Sequence, residues 1–309
     1  MRSDSVLIRL GVMTALLIAC STAAAGETRV DLIRERLLHA NQWRDHVMVV
    51  AHRAGGLQAG KSRFPENSLA ALENAIALGA EMVEIDVQKS KDGAYVVLHD
   101  TWLDRTTTCR GQLVEKSLAE LKACRLVVES RGTPTAESVP TLREFLAAAR
   151  DRILVNIDNK LSFAELPGMV AVARELGMAG QIVIKQNLWS EAKVEEARVL
   201  TRQIGPDSIF MPIIADDAVR DTRFLEAATR AMAADAVELI HWRDPQATMT
   251  PDGGPLFTAR ARAVAARGDW HLWVNTYAIV NKTGGMLSGG RGDELAIAGL
   301  PQEVFGFWA

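Results

Sequence analysis

The sequence predicts an α/β protein: a TIM-type (β/α) barrel with a β-hairpin after its second strand and without an eighth strand at the C-terminus. Apolar strand-like runs alternate with helical patterns through most of the 309 residues. Four consecutive runs begin at residues 153, 181, 208 and 236, a spacing of 28, 27 and 28 that suits repeated β-α units. No linker-like stretch divides the chain, and its 48% hydrophobic residues can fill one large core.

At the N-terminus, Arg2 and Arg9 precede an apolar run from Leu10 to Ala19, followed by small residues through Ala23-Ala24-Ala25. That layout predicts a secretory signal peptide over residues 1–25, with an apolar run too short to span a bilayer. Leu17-Ile18-Ala19-Cys20 also resembles a lipoprotein box, so cleavage before Cys20 with a lipid anchor and cleavage after Ala25 both remain open. The expectation is an exported protein, periplasmic or secreted, whose barrel domain occupies residues 26–309. Loss of Arg2, Arg9 and Asp4 moves the formal charge only from −3 to −4. With no basic stripe, nucleic acid and anionic membrane surfaces are poor partners, and a small molecule is expected. After export Cys109 and Cys124 are the remaining cysteines, and we expect them to pair over SLAELKA; two unrelated buried thiols are the alternative.

After a helix-like lead, VDLIRERLLHANQW, the strand-like runs fall at 47–52, 82–87, 153–158, 181–185, 208–214, 236–241 and 271–276, seven in all. SLAALENAIALG places Leu69, Leu72 and Ile76 on one helix face and stops at Gly79. DVQKSKDGAYVVLHD turns at Asp92-Gly93, too tightly for a crossover helix, so AYVVLH returns antiparallel beside the second strand. The chain stops at LPQEVFGFWA, which reads as the start of a last helix, and the eighth strand is missing.

Gly55 to Ser62 matches GxxxxGK[ST] letter for letter. A phosphate loop needs a helix starting at its Lys-Ser, whereas Pro65 keeps Phe64 out of the helical region and defers the helix to about Glu66. No nucleotide is expected.

Alternate strand residues share a face, so Glu84 and Asp86 in VEIDV point together, as do Asn156, Asp158 and Lys160 in ILVNIDNK. Like charges side by side in an apolar strand call for a cation, and a carboxylate set suits Mg²⁺ or Ca²⁺. His52 ends the first strand and His99 the hairpin, each followed by a charged residue, Arg53 and Asp100. At one barrel mouth, two imidazoles beside a metal-held phosphodiester could divide the proton transfers.

Taken together, AHRAGG, FPENSLAALENAIALGAEMVEIDVQKSKDGAYVVLHDTWLDRTT, PTLREFL, NIDNK and WVNT resemble the glycerophosphodiester phosphodiesterase family from about residue 47 to 276. The resemblance implies a barrel enzyme that binds a divalent metal, often Ca²⁺ or Mg²⁺, and hydrolyses glycerophosphodiesters to glycerol 3-phosphate and an alcohol. It implies His52 and His99 as catalytic residues and Glu84, Asp86 and Asp158 as metal ligands. Arg53, Glu66, Lys160, Trp273 and Asn275 fall at substrate-binding positions. Ala54 replaces a glycine, Ser68 a threonine, and Asp158 a glutamate one methylene longer. Relatives usually continue into a last strand and a Thr-Asp-x-Pro turn, which this chain lacks; truncation, or cover by the N-terminal lead or a partner, would account for that. A cyclising phospholipase-like or sphingomyelinase-D-like relative and a non-catalytic binding protein are the competing readings. Lys185 and His241 are secondary site candidates, with a solvated role preferred for His241.

Overall fold

The computed structural model describes residues 28–58, 61–128, 132–240, 256, 258–274, 281–282 and 285–286. The signal-peptide and lipoprotein readings, His241, Asn275 and the missing eighth strand therefore concern residues outside those described.

The lead forms α1 (Arg29–Leu38), started by a capping box between Thr28 and Asp31. There follow β1 (Val50–Ala51), the small hairpin β2 (Leu57–Gln58) and β3 (Lys61–Ser62), α2 (Leu69–Ala77), β4 (Met82–Lys89) and β5 (Tyr95–Val97). An excursion holds α3 (Leu118–Ala123), β6 (Arg125–Val128) and β7 (Thr133–Ser138). Regular alternation then sets in with α4 (Leu142–Ala149), β8 (Leu154–Asn159), α5 (Leu166–Glu175), β9 (Ile182–Asn187), α6 (Glu191–Ile204) and β10 (Ile209–Ala215). It continues through α7 (Thr222–Met232), β11 (Ala236–Ile240), α8 (Ala259–Gly268) and β12 (His271–Val274). A two-stranded piece, β13 (Asn281–Lys282) with β14 (Gly285–Met286), ends the described chain.

The main sheet runs β1-β4-β8-β9-β10-β11-β12, all neighbours parallel, with β5 antiparallel on β4. It is the curled, helix-covered sheet of a TIM-type (β/α) barrel, with the seven strands and the hairpin placed where the sequence pattern puts them. Among the described residues the path from β1 to β12 is open. Outward-facing Val83, Ile85, Val87, Val155, Ile157 and Ile184 pack against α2, α4, α5 and α6 through Leu72, Phe145, Met169 and Leu200. Inward, residues at the starts of the strands, Met82, Leu154, Val183, Ile209 and Ala236, form a separate apolar floor against Val30, Ile33 and Leu37 of α1. Arg29 fastens the helix by donating to the carbonyls of Ala80 and Arg152.

Two local expectations change. The first strand is only Val50–Ala51: Val47 and Val49 face solvent, so an apolar run is not paired merely because it is apolar. His52 accordingly begins a tight turn, in which Arg53 (φ 50°) and Ala54 (φ 64°) are left-handed. That conformation is one a glycine would adopt with less strain than Ala54. The excursion after β5 has its own core of Val96, Leu98, Leu103, Leu113, Leu121, Leu126 and Val139. It is stapled by a Cys109–Cys124 disulfide with a Cα–Cα distance of 5.5 Å.

Candidate active site

In β4 the two-residue period sends Glu84 and Asp86 into the barrel while Ile85 and Val87 enter the outer core. Register places Asn156 beside Glu84 and Asp158 beside Asp86 on the neighbouring β8. Oxygen atoms of Glu84, Asp86 and Asp158 lie within 4.8 Å of one another. Glu84 and Asp86 are buried. Burial first, and then the charge of Asp86, push the Glu84 pKa well above the carboxylate range.

Lys160, just past β8, sets its ammonium 3.0 Å from Asp86 Oδ1 and 2.7 Å from Asp158 Oδ2. Burial works against that ammonium, but Asp158 and Asp86 overcome it and raise its pKa. Burial likewise opposes the Asp158 carboxylate, and Lys185 with Lys160 outweighs it and lowers its pKa. Lys185 lies within β9: it is buried, 3.1 Å from Glu238 of β11 and 3.9 Å from Asp158. The fourth acid and second lysine therefore belong to the same chamber. Asn67 (φ 57°) ties the loop before α2 to β4, donating to Asp86 Oδ2 at 2.8 Å and accepting from the Asp86 N–H at 3.2 Å.

His52 Nε2 is 4.0 Å from Glu84 Oε2, and the Arg53 backbone N–H donates to the same oxygen at 3.0 Å. Burial first, then the Arg53 and Lys185 charges, push the His52 pKa down to about 3, so its imidazole is neutral near pH 7. Arg53 donates to Glu66 at 2.7 Å and lies 3.8 Å from Asp86. Glu66 also accepts from Arg105. His99, two residues beyond β5, faces Asp100 Oδ1 through Nδ1 at 2.7 Å, while Gln88 of β4 donates to the His99 carbonyl at 2.9 Å. Trp273 stands beside Glu238 in register and packs on the apolar floor.

The chemistry of the donor set fits a hard divalent cation. Four acids (Glu84, Asp86, Asp158, Glu238) face two lysines (Lys160, Lys185), and Glu84, which resists ionisation beside Asp86, would be drawn into its charged form by a cation held there. Asn156, fully buried on the Glu84 layer, has neither amide atom hydrogen-bonded, so a neutral oxygen donor is also to hand. Lys61-Ser62, by contrast, sits in the small hairpin, and α2 starts only at Leu69. The glycines serve that loop's closure: Gly56 accepts from the Arg63 and Phe64 N–H groups, and a Cβ there would lie 2.4 Å from the Phe64 carbonyl oxygen.

The profile of the glycerophosphoryl diester phosphodiesterase family matches residues 58–277. The chain belongs to this family. A glycerophosphodiester phosphodiesterase of Caldanaerobacter subterraneus is 33% identical over 142 residues, which is 44% of this chain and 56% of that protein. One of Bacillus altitudinis is 36% identical over 120 residues, 37% of this chain and 48% of the relative. The chain thus spans about half the length of the curated relatives it matches. Among solved structures, the Parabacteroides distasonis glycerophosphoryl diester phosphodiesterase superposes with a TM-score of 0.57 at 20% identity, covering 79% of this chain and 75% of that one. An Oleispira antarctica phosphodiesterase in complex with the product sn-glycerol-3-phosphate gives 0.53 at 19% identity, covering 86% and 98%. At such identities the likeness establishes the family fold.

Sequence reading set both histidines and the three acids at one mouth, and the resemblance added Arg53, Glu66, Lys160 and Trp273; the structure brings His52, Arg53, Glu84, Asp86, Asp158 and Lys160 together, with Glu66 on Arg53, His99 on Asp100, and Trp273 beside Glu238 against the apolar floor. It missed Glu238, Asn67, Asp100 and Arg105 as site residues. Glu238 carried a weaker form of the signal in VEIDV, a single acid in the apolar strand AVELI.

Proposed function

We propose that this chain is an exported, divalent-metal-dependent phosphodiesterase that hydrolyses glycerophosphodiesters to glycerol 3-phosphate and an alcohol. What supports this most is the placing of three carboxylates within 4.8 Å of one another, with neutral His52 4.0 Å from one of them. Family membership and the product found in the Oleispira antarctica relative agree with it.

Glu84, Asp86 and Asp158 would hold Ca²⁺ or Mg²⁺, which when bound neutralises the chamber and polarises the phosphoryl group. Arg53 and Lys160 bind the phosphate oxygens. Glu66 acts through Arg53 rather than on the substrate, because guanidinium groups engage both of its oxygens. His52 takes the proton of the nucleophile as its oxygen bonds to phosphorus; attack by water gives glycerol 3-phosphate directly, whereas attack by the glycerol 2-hydroxyl gives a cyclic phosphate that water must then open to glycerol 3-phosphate. His99, oriented by Asp100 at Nδ1, returns a proton from Nε2 to the alcohol oxygen as its bond to phosphorus breaks. Trp273, and Asn275 beyond the described residues, border the substrate. The signal-like residues 1–25 and the Cys109–Cys124 bridge favour an oxidising, extracytoplasmic location.

The test is release of glycerol 3-phosphate from glycerophosphocholine by the purified chain, with Ca²⁺, Mg²⁺ or a chelator. Metal-dependent release that falls at least about 100-fold in His52→Ala supports the reading. A folded chain that binds the cation and releases nothing replaces it with a binding protein.

A further inference from the structure

We infer that Arg105 is a positioning residue that joins the two histidine-bearing ends of the site, an inference that rests on the phosphodiesterase reading above. Arg105 Nε donates to Asp100 Oδ2 at 2.6 Å and Nη2 to Asp100 Oδ1 at 2.8 Å. The same guanidinium donates to Glu66, from Nη2 to Oε1 at 2.7 Å and from Nη1 to Oε2 at 3.3 Å. Glu66 in turn holds Arg53, next to His52, and Asp100 holds His99. Charges alternate along Arg53, Glu66, Arg105 and Asp100 and cancel, so the chain of contacts orients the imidazole without adding to the charge of the metal-ligand cluster.

Only arginine fits this place. Its planar fork offers five donors and can serve two carboxylates at once, where a lysine ammonium binds as a point charge. Glu66 is 7% exposed, so without Arg105 this buried carboxylate would keep only Arg53 of the two guanidinium groups that hold it, and Asp100 would be free to turn. The backbone beneath Arg105 is firm. Leu103 and Thr106 are buried, Thr107 Oγ1 donates to the Leu103 carbonyl at 2.7 Å, Thr107 bridges to Leu126, and the disulfide at Cys109 closes the loop. A displacement of that loop is thereby transmitted to His99.

The experiment compares the parent with Arg105→Ala, Arg105→Lys and a charge control, Arg110→Ala, whose side chain pairs with Asp104 instead. Glycerophosphocholine hydrolysis, Ca²⁺ affinity by calorimetry and the His99 tautomer by long-range ¹H–¹⁵N spectra at pH 8 are measured. Arg105→Ala is expected to lower kcat about 10- to 100-fold with KM within about threefold and Ca²⁺ affinity unchanged. His99 should pass from one tautomer to a mixture, Arg105→Lys should recover little, and Arg110→Ala should match the parent. A raised KM at unchanged kcat makes Arg105 a substrate-contacting group and overturns the inference, as does an unchanged tautomer, whether or not the melting point falls. If the parent itself hydrolyses nothing, the phosphodiesterase reading fails, and the spectra alone decide whether Arg105 orients His99.

Discussion

Reduction of the Cys109–Cys124 bridge should cost the protein about 3 kcal/mol. The two cysteines are 15 residues apart, and a cross-link of that span removes roughly that much chain entropy from the unfolded state at 25 °C. Reduction leaves both sulfurs in place, so it isolates the cross-link from the packing of Cys124, which is buried among Leu98, Leu121 and Leu126. For a chain of this size 1 kcal/mol corresponds to about 2–4 °C, which places the expected fall in melting point at about 6–12 °C. Urea and thermal unfolding with and without a phosphine reductant measure it, and Cys109→Ala/Cys124→Ala repeats the comparison without reductant. Activity should be lost at a lower temperature than in the oxidised protein, because the closed loop carries Arg105. Melting points within about 1 °C of each other would refute the reasoning, since the excursion's own core would then suffice.

Three further outcomes are expected. Glu238→Leu should destabilise by about 1–3 kcal/mol in urea unfolding because it takes the nearer carboxylate, at 3.1 Å, from the buried Lys185 ammonium and leaves it Asp158 at 3.9 Å, whereas Lys185→Met/Glu238→Leu should cost less; equal losses would contradict this. Glu84→Gln should weaken Ca²⁺ binding at least about tenfold by calorimetry while raising the melting point of the metal-free protein, since burial and Asp86 already disfavour the Glu84 charge. Burial pushes the Asp235 pKa up to about 6. A raised acid pKa means the folded state holds the proton more tightly, so stability is full below about pH 4 and falls as pH rises to about 6. Asp235→Asn should therefore match the parent at pH 4 and exceed it by about 1–3 kcal/mol at pH 7, and a gain independent of pH would count against the assignment.

What the sequence makes legible follows from periodicity. An acid at every second place of an apolar strand has to point inward, and VEIDV and NID reveal their direction without any fold; the β-α spacing then brings them to one mouth. Three kinds of feature escape that logic. VMVV is apolar enough for a strand, yet Val47 and Val49 face solvent and only Val50–Ala51 pairs in register with β4, which only the assembled sheet decides. β7 reads TPTAES, polar and with a proline, and is a strand only because β6 offers it a partner. Lys185 and Glu238 meet across the intervening strand β10, and Arg105 lies in a polar loop where an arginine excites no notice. Contacts between distant segments carry no local signature.

Because α1 seats Val30, Ile33 and Leu37 beneath the starts of the strands, the chamber is stoppered at that end among the described residues. On the proposed reading, a diester would approach the carboxylates from the strands' carboxyl ends, and the alcohol and phosphomonoester would depart from the same side. A bulky alcohol should then linger and hold back the next turnover even where its bond is broken quickly.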